Sequence, residues 1–295
     1  MYKSFVSILL GFLVLATGCA LPSKKLAMKN YVLITTDMGE MVLGLYESTP
    51  LHRDNFINNS KTGVYDSLLI HKATHKGLIS AGHPDSKNAA SEVVLDKIPV
   101  DTLLSPEIHK ELMHRRGAVG AVRAEDKLNP SAKSHPTMFY IVFGERFSDN
   151  TLNKVESIRN VNVIRNYVDI YISEPGNEAL RDSMNFYQQN RMSKDYARLY
   201  QQAAEKVKPR ITADGITLFS LNKKQRQVYC TEGGLPTMDG DYTIFGHVVY
   251  GIDNLEAITR VKTGLGFRPR NNIYILSTRV MDKKEWKKFR KTHQP

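Results

Sequence analysis

YDSLLIHKATHKGLISAGHP, residues 65–84, places two short apolar runs, Leu68 to His71 and Leu78 to Ala81, around the turn-forming segment ATHKG. With Gly63 ahead of it and Gly82 behind, the local reading is a β-hairpin. His71, Lys72 and His75 stand in or beside strands that are otherwise aliphatic and small. One face of the hairpin therefore serves something other than packing, or its edge is guarded by charges.

On the amino-terminal side, YVLITTD and MVLGLY alternate and are joined by Asp37-Met38-Gly39-Glu40, a hairpin signal. Thr49-Pro50 supplies an N-cap and a first-turn proline, and Gly63 ends the segment, so the pattern predicts a helix from Pro50 to Thr62. On the carboxyl side come GAVGAV, MFYIVF, TIFGHVV and NIYILSTRV, which bring the strands to eight. Leu255, Ile258 and Val261 share one side of a second helix over Asp253 to Lys262, with Gly264 past its end. Eight short strands and two helices predict a mainly β fold, an antiparallel closed barrel capped at its ends, over residues 31–147 and 230–281.

Residues 148–229, between strands six and seven, are more than such a barrel needs. Leu180, Met184 and Tyr187, then Met192, Tyr196, Leu199 and Ala203, recur at helical spacing after Pro175-Gly176. Leu218, Leu221, Gln225 and Val228 suggest a short last helix. Asn153 to Ile172 gives a weaker signal, because the β-branched residues of VNVIRNYVDIYI lower helix propensity. This largely helical insert reads as an appendage on the barrel flank, with a partner-binding arm as the alternative.

Met1 to Cys19 has the form of a cleaved signal: Lys3, an apolar run from Phe5 to Leu15 too short to span a bilayer, and Ala16-Thr17-Gly18 before Cys19. Small residues directly before a Cys resemble the bacterial lipobox, although Leu15 lies one place further from the Cys than usual. That resemblance implies lipid on Cys19, a tether over residues 20–30, and a protein anchored on the periplasmic side of the cell envelope. An ordinary secretory signal is the alternative. The formal charge of +11 is scattered except in KKEWKKFRKTH, residues 283–293, within the basic tail 282–295. The tail reads as a solvated surface helix or a membrane-surface contact. Nucleic acid is not an expected partner outside the cytoplasm. With Cys19 lipidated, Cys230 has no partner for an intrachain disulfide.

Four blocks together resemble the cyclophilin family of peptidyl-prolyl isomerases. They are the hairpin with its Gly-x-Tyr-Asp opening and Gly-x-Pro close, GAVGAVR at residues 117–123, NPSAKSHPTMFYIVFG at 129–144, and GGLPTMDGDYTIFGHVV at 233–249. The resemblance implies the capped barrel, an activity on X-Pro bonds, no cofactor, and a monomer that takes proline-containing polypeptide. It puts the family's catalytic Arg at Lys72, with no second cation at the matched positions. Its pocket aromatic and Met fall on Gly77 and Leu78, its two Gln on Ser80 and Met138, and its pocket Phe on Tyr140. Thr237 takes the rim position, Met238 and Tyr242 the places of Leu and His, while His71 and Phe139 keep the expected type.

Rotation about an X-Pro bond faces a barrier of about 20 kcal/mol from amide resonance, and no bond is made or broken. A cationic donor near the proline nitrogen, with the ring held in an apolar pocket, stabilises the twisted amide over the planar one. Lys lacks the planar fork of Arg, and Gly77 removes a wall of that pocket, so the expected rate is low or the preference altered. A cyclophilin-like module that binds without catalysing is the second reading. His71 and His75 lie roughly 13 Å apart along a straight strand, too far to share a metal, and no nucleophile-elbow signature supports a hydrolase.

Overall fold

The computed structural model describes residues 26–90, 93–95, 97–98 and 102–293. Cys19, the signal and most of the tether lie outside the described residues. The chain opens with β1 (Met28–Thr36) and β2 (Gly39–Tyr46), paired antiparallel in the predicted hairpin. Its turn is closed by the Thr36 hydroxyl, which accepts from the Met38 amide at 3.1 Å and donates to the Gly39 carbonyl at 2.8 Å. After α1 (Pro50–Lys61) come β3 (Ile70–Ala73), β4 (Leu78–Ala81), β5 (Ala118–Ala121) and β6 (Phe139–Val142). Four helices follow, α2 (Asp149–Ser173), α3 (Glu178–Gln189), α4 (Ser193–Ala213) and α5 (Lys223–Thr231). The chain then completes the sheet with β7 (Ile244–Tyr250), α6 (Ile252–Thr259), β8 (Ile275–Met281) and α7 (Lys283–His293).

The strands form one antiparallel sheet in the order β3-β4-β6-β5-β7-β2-β1-β8. It curls but its ladder is open, which corrects the expected full closure. Between β3 and β8 the seam has one bridge, Leu69 to Tyr274, and backbone hydrogen bonds of 2.8–2.9 Å from Ser67, Ile70 and Ile275. The seam has little length to pair, because β3 spans Ile70–Ala73 only. The concave side holds the main core, where Phe56, Tyr65, Phe139 and Phe245 pack edge-on or tilted at 4.9–5.5 Å among Val32, Leu43, Ile141 and Ile275.

The two capping helices are present, and α1 is capped by a different group from the expected one. Thr49 makes no side-chain hydrogen bond; instead the Glu107 carboxylate accepts from the Leu51 and His52 amides at 3.0 Å each and contacts His52 Nδ1 at 2.7 Å. A carboxylate at a helix N-terminus satisfies free amides and opposes the dipole. The basic tail is also docked rather than solvated. Trp286 and Phe289 of α7 are buried against Tyr31, Leu33, Val42 and Met281, with Trp286 stacked on Tyr31 at 5.2 Å. Both faces of β1 are thereby covered, and the lysines of α7 occupy its outer side.

Contrary to its weak signal, Asn153 to Ile172 is continuous helix within α2. Ser148 accepts from the Thr151 amide as its N-cap, and Val168 is buried against Ala203, Ala204, Val207 and Ile211 of α4. Tertiary packing of that kind overrides the modest propensity cost of Val and Ile.

Candidate active site

Register brings the matched residues into one row. Lys72 pairs with Ser80, Ser80 with Tyr140, and Tyr140 with Gly120, across β3, β4, β6 and β5. Residues opposed in this way project from the same face, so the cation and the pocket position share the convex side. Lys72 is half-buried, its Nζ 5.6 Å from the ring centroid of Phe267 in the loop after α6. Leu78, Met238 and Tyr242 surround Tyr140 together with Tyr46, Leu112, Val142 and Ile244. Thr237 is exposed at the rim.

Three matched residues lie deeper than substrate contact requires. Phe139 faces the main core beside Phe56 and Tyr65, because alternation along β6 turns it to the side opposite Tyr140. His71 is buried edge-on against His83 at 5.5 Å rather than beside His75, and its Nδ1 has no hydrogen-bond partner. Burial, with His83 and Arg268 nearby, lowers its pKa to about 3. Met138 is buried, its amide donating to His135 Nδ1 at 3.3 Å. Among the described residues, no group of three or more His, Cys, Asp or Glu converges on a metal-sized site.

Tyr140 itself is 3% exposed. Its hydroxyl donates to His114 Nε2 at 2.7 Å, and its ring lies over Gly120, where an added Cβ would come within 2.2 Å of the phenol. His114 Nδ1 donates to Asp239 at 2.9 Å, and the same carboxylate accepts from the His114 amide at 2.7 Å and the Tyr229 hydroxyl at 2.6 Å. Asp239 is thus the shared acceptor at the centre of a buried network that orients the His114 ring. Burial pushes the Tyr140 and Tyr229 hydroxyls above the usual phenol range, reinforced for Tyr229 by the Asp239 carboxylate. The volume at the pocket position is therefore taken by protein, with Tyr242 set against Tyr140 at 5.9 Å.

Gly77 has a local cause. Thr74 Oγ1 accepts from the Leu78 amide at 2.7 Å and donates to its carbonyl at 2.9 Å, and a Cβ on Gly77 would approach Thr74 Oγ1 to 2.2 Å. The hairpin turn excludes an aromatic at that position. Sequence reasoning missed three contributors from outside the matched positions. His114 and Tyr229 reach the site only through tertiary folding, and Arg123, at the end of GAVGAVR, sets its guanidinium 4.7 Å from the Tyr242 ring while Nε donates to the Asp241 carbonyl. A second cation therefore does stand beside Tyr242. From α2, Arg159 clamps the rim turn, donating to the Thr237 and Asp239 carbonyls at 2.8 and 3.0 Å and to both oxygens of Asp241.

The family model for cyclophilin type peptidyl-prolyl cis-trans isomerases matches residues 31–167 and 181–280. A candidate peptidyl-prolyl cis-trans isomerase of Staphylococcus haemolyticus is 21% identical over 253 residues, 85% of this chain and 91% of that protein. The peptidyl-prolyl cis-trans isomerase cypE of Dictyostelium discoideum is 29% identical over 114 residues, 38% of this chain and 67% of that protein. A solved cyclophilin type isomerase of Cryptosporidium parvum aligns with a TM-score of 0.48 at 16% identity, covering 86% of this chain and 99% of that one. The family match extends over most of the chain, its first segment including the four strands of the Lys72 row and its second β7 and most of β8, and the chain belongs to the cyclophilin-type peptidyl-prolyl cis-trans isomerase family.

Proposed function

We propose that the chain isomerises X-Pro bonds in polypeptides of the bacterial cell envelope, at a rate below that of a site with an open proline pocket. The observation that carries this reading is the cation of Lys72 in register with Ser80 and Tyr140 on the convex face. An ammonium donor there can stabilise a twisted amide without any bond being made. Rate is limited because Tyr140 is tied to His114, so a proline ring finds a shallow surface among Leu78, Met238 and Tyr242 rather than a cavity. The envelope assignment is supported by Met1 to Cys19, with Cys19 as lipid acceptor. The filled pocket also favours a second reading, a binding module without catalysis.

A proline-peptide isomerisation assay on the purified protein tests this. The expected outcome is a rate above background that falls about tenfold or more in Lys72→Ala and rises modestly in Lys72→Arg, whose fork adds a second donor. A parent rate at background would leave the binding module, and a rate lost in Arg123→Ala but not in Lys72→Ala would move the donor role to Arg123. For the anchor, Cys19→Ser should shift the protein from the membrane fraction to the soluble one.

A further inference from the structure

The loop after α6 presents its apolar residues to solvent. Leu265 is 81% exposed and Phe267 55%, and the Lys72 Nζ lies 5.6 Å from the Phe267 ring centroid. Packing within the fold does not account for this placement. Phe267 takes a left-handed backbone, φ 59°, directly after Gly266 at φ 63°, a region that disfavours a residue with a bulky side chain. Such strain persists only where the surrounding structure imposes it. Here the loop is closed at its base: the Gly264 amide donates to the Arg268 carbonyl at 2.8 Å, the Arg268 amide donates to the Leu265 carbonyl at 3.2 Å, and Thr263 bridges to Pro269. Arg268, 3% exposed, is tied to Asn272 Oδ1 at 2.8 Å. Val94 backs the turn, 2.7 Å from where a Cβ on Gly266 would stand. The loop is thus a rigid mount for an aromatic ring that buries little of itself in the protein.

The position of that ring relative to the Lys72 row follows from the chain path. The segment after the loop reaches Ile273 and Ile275, which bond through the backbone to Ile70 and Leu68 at the outer edge of the sheet. Phe267 therefore lies on the side of β3 away from β4, and Lys72 stands between it and the surface around Tyr140. Two strand spacings, roughly 10 Å, separate β3 from β6, a distance covered by about three residues of extended polypeptide.

We propose that Phe267 determines specificity, receiving with Leu265 an aromatic or aliphatic side chain next to the proline of the bound polypeptide. This rests on the reading of Lys72 as the donor at the X-Pro bond. A proline ring on Leu78, Met238 and Tyr242, with its amide at Lys72, leaves the neighbouring side chain to fall on the Phe267 ring. Contact there removes apolar area of both partners from water and supplies a hold that the filled Tyr140 position does not.

The test measures affinity and isomerisation rate of the full chain with the blocked peptides Ala-Ala-Pro-Ala, Ala-Phe-Pro-Ala and Ala-Ala-Pro-Phe. At least one Phe peptide should bind about tenfold tighter than the all-Ala one, and its identity gives the side of the proline that faces Phe267. Phe267→Ala should remove the preference and Phe267→Trp should keep it. Phe267→Gly should remove it without lowering Tm, because glycine adopts a left-handed φ freely; a residue with a merely structural role would lower Tm and leave the preference intact. A preference in affinity with a rate at background would uphold the Phe267 contact and overturn the isomerase reading. Equal affinities for the peptides, or a preference unchanged in Phe267→Ala, would overturn the contact whatever the rate.

Discussion

The helical insert contains two regions with different relations to the barrel. At its base, Leu152, Leu221 and Tyr229 pack with Met113 and Phe147 from the loops beside the sheet, while Arg159 and Tyr229 reach into the turn from Thr237 to Asp241. Further out, Val168, Ala203, Ala204, Val207 and Ile211 bury one another with Tyr167, Tyr171, Leu180 and Tyr200, forming a core of their own. The boundary lies where Asn160 pairs with the Phe219 backbone, donating to its carbonyl at 2.9 Å and accepting from its amide at 2.8 Å. An insert is thus not an appendage as a whole: its base completes the parent fold and its arm stands on separate packing.

The largest effect that can break this division comes from two deletions. Replacing residues 148–229 with a short Gly-containing loop should abolish cooperative unfolding, because it strips Tyr229 and Arg159 from the Asp239 turn. Replacing only residues 163–216 should preserve it, since the ends of that cut are already held together by Asn160 and Phe219. Calorimetry on the two proteins decides, and equal behaviour would erase the distinction between base and arm.

A smaller effect isolates the shared network. Asp239→Ala leaves the His114 amide, His114 Nδ1 and the Tyr229 hydroxyl without their acceptor, and should cost about 3 kcal/mol. Chemical denaturation measures it, and the loss should be the same with or without the arm. A loss confined to the intact protein would mean that the arm, too, supports the turn.

The smallest effect is acid sensitivity. Burial lowers the pKa of His71 and His247 to about 3 from an ordinary 6.5, and those of His52 and His135 in the same direction. The folded state holds these rings neutral, while the unfolded chain takes up protons below about 6.5. Their contribution is therefore complete above pH 6.5 and declines as pH falls from there toward 3. No histidine occurs in residues 148–229, so the arm-deleted protein should show the same drop in Tm between pH 7.5 and 5 as the intact one. A Tm independent of pH in this range would contradict the buried neutral state of these rings.

Much of the barrel was legible because its strands alternate and its turns carry Gly, Asp and Pro at the positions that turns require. The members of the Lys72 row came only from the family resemblance, since the register that aligns them joins β3, β4 and β6 from separate segments. What stayed hidden depends on distant partners. Nothing local says that Tyr140 meets His114, or that an insert residue, Tyr229, shares Asp239 with His114. Gly77 reads as a missing wall, and only the Thr74 to Leu78 bonds reveal a turn that forbids one. The docking of α7 had a signal that went unused. Asp282 and Glu285 form a reciprocal cap, Asp282 accepting from the Lys284 and Glu285 amides while Glu285 accepts from the Asp282 amide, but two apolar residues among so many lysines resemble a solvated face.

The place of β8 next to β1 governs the order of events when the protein is made. Residues 28–36 emerge early, yet their outer neighbour spans residues 275–281. At a synthesis rate of roughly 5–20 residues per second, the edge of β1 waits on the order of tens of seconds for its partner. During that interval the nascent chain presents an unpaired strand whose both faces are apolar, the kind of edge that recruits other chains. β1 therefore gains its outer pairing only once residues 275–281 have been made, and α7, made after them, then covers one of its faces.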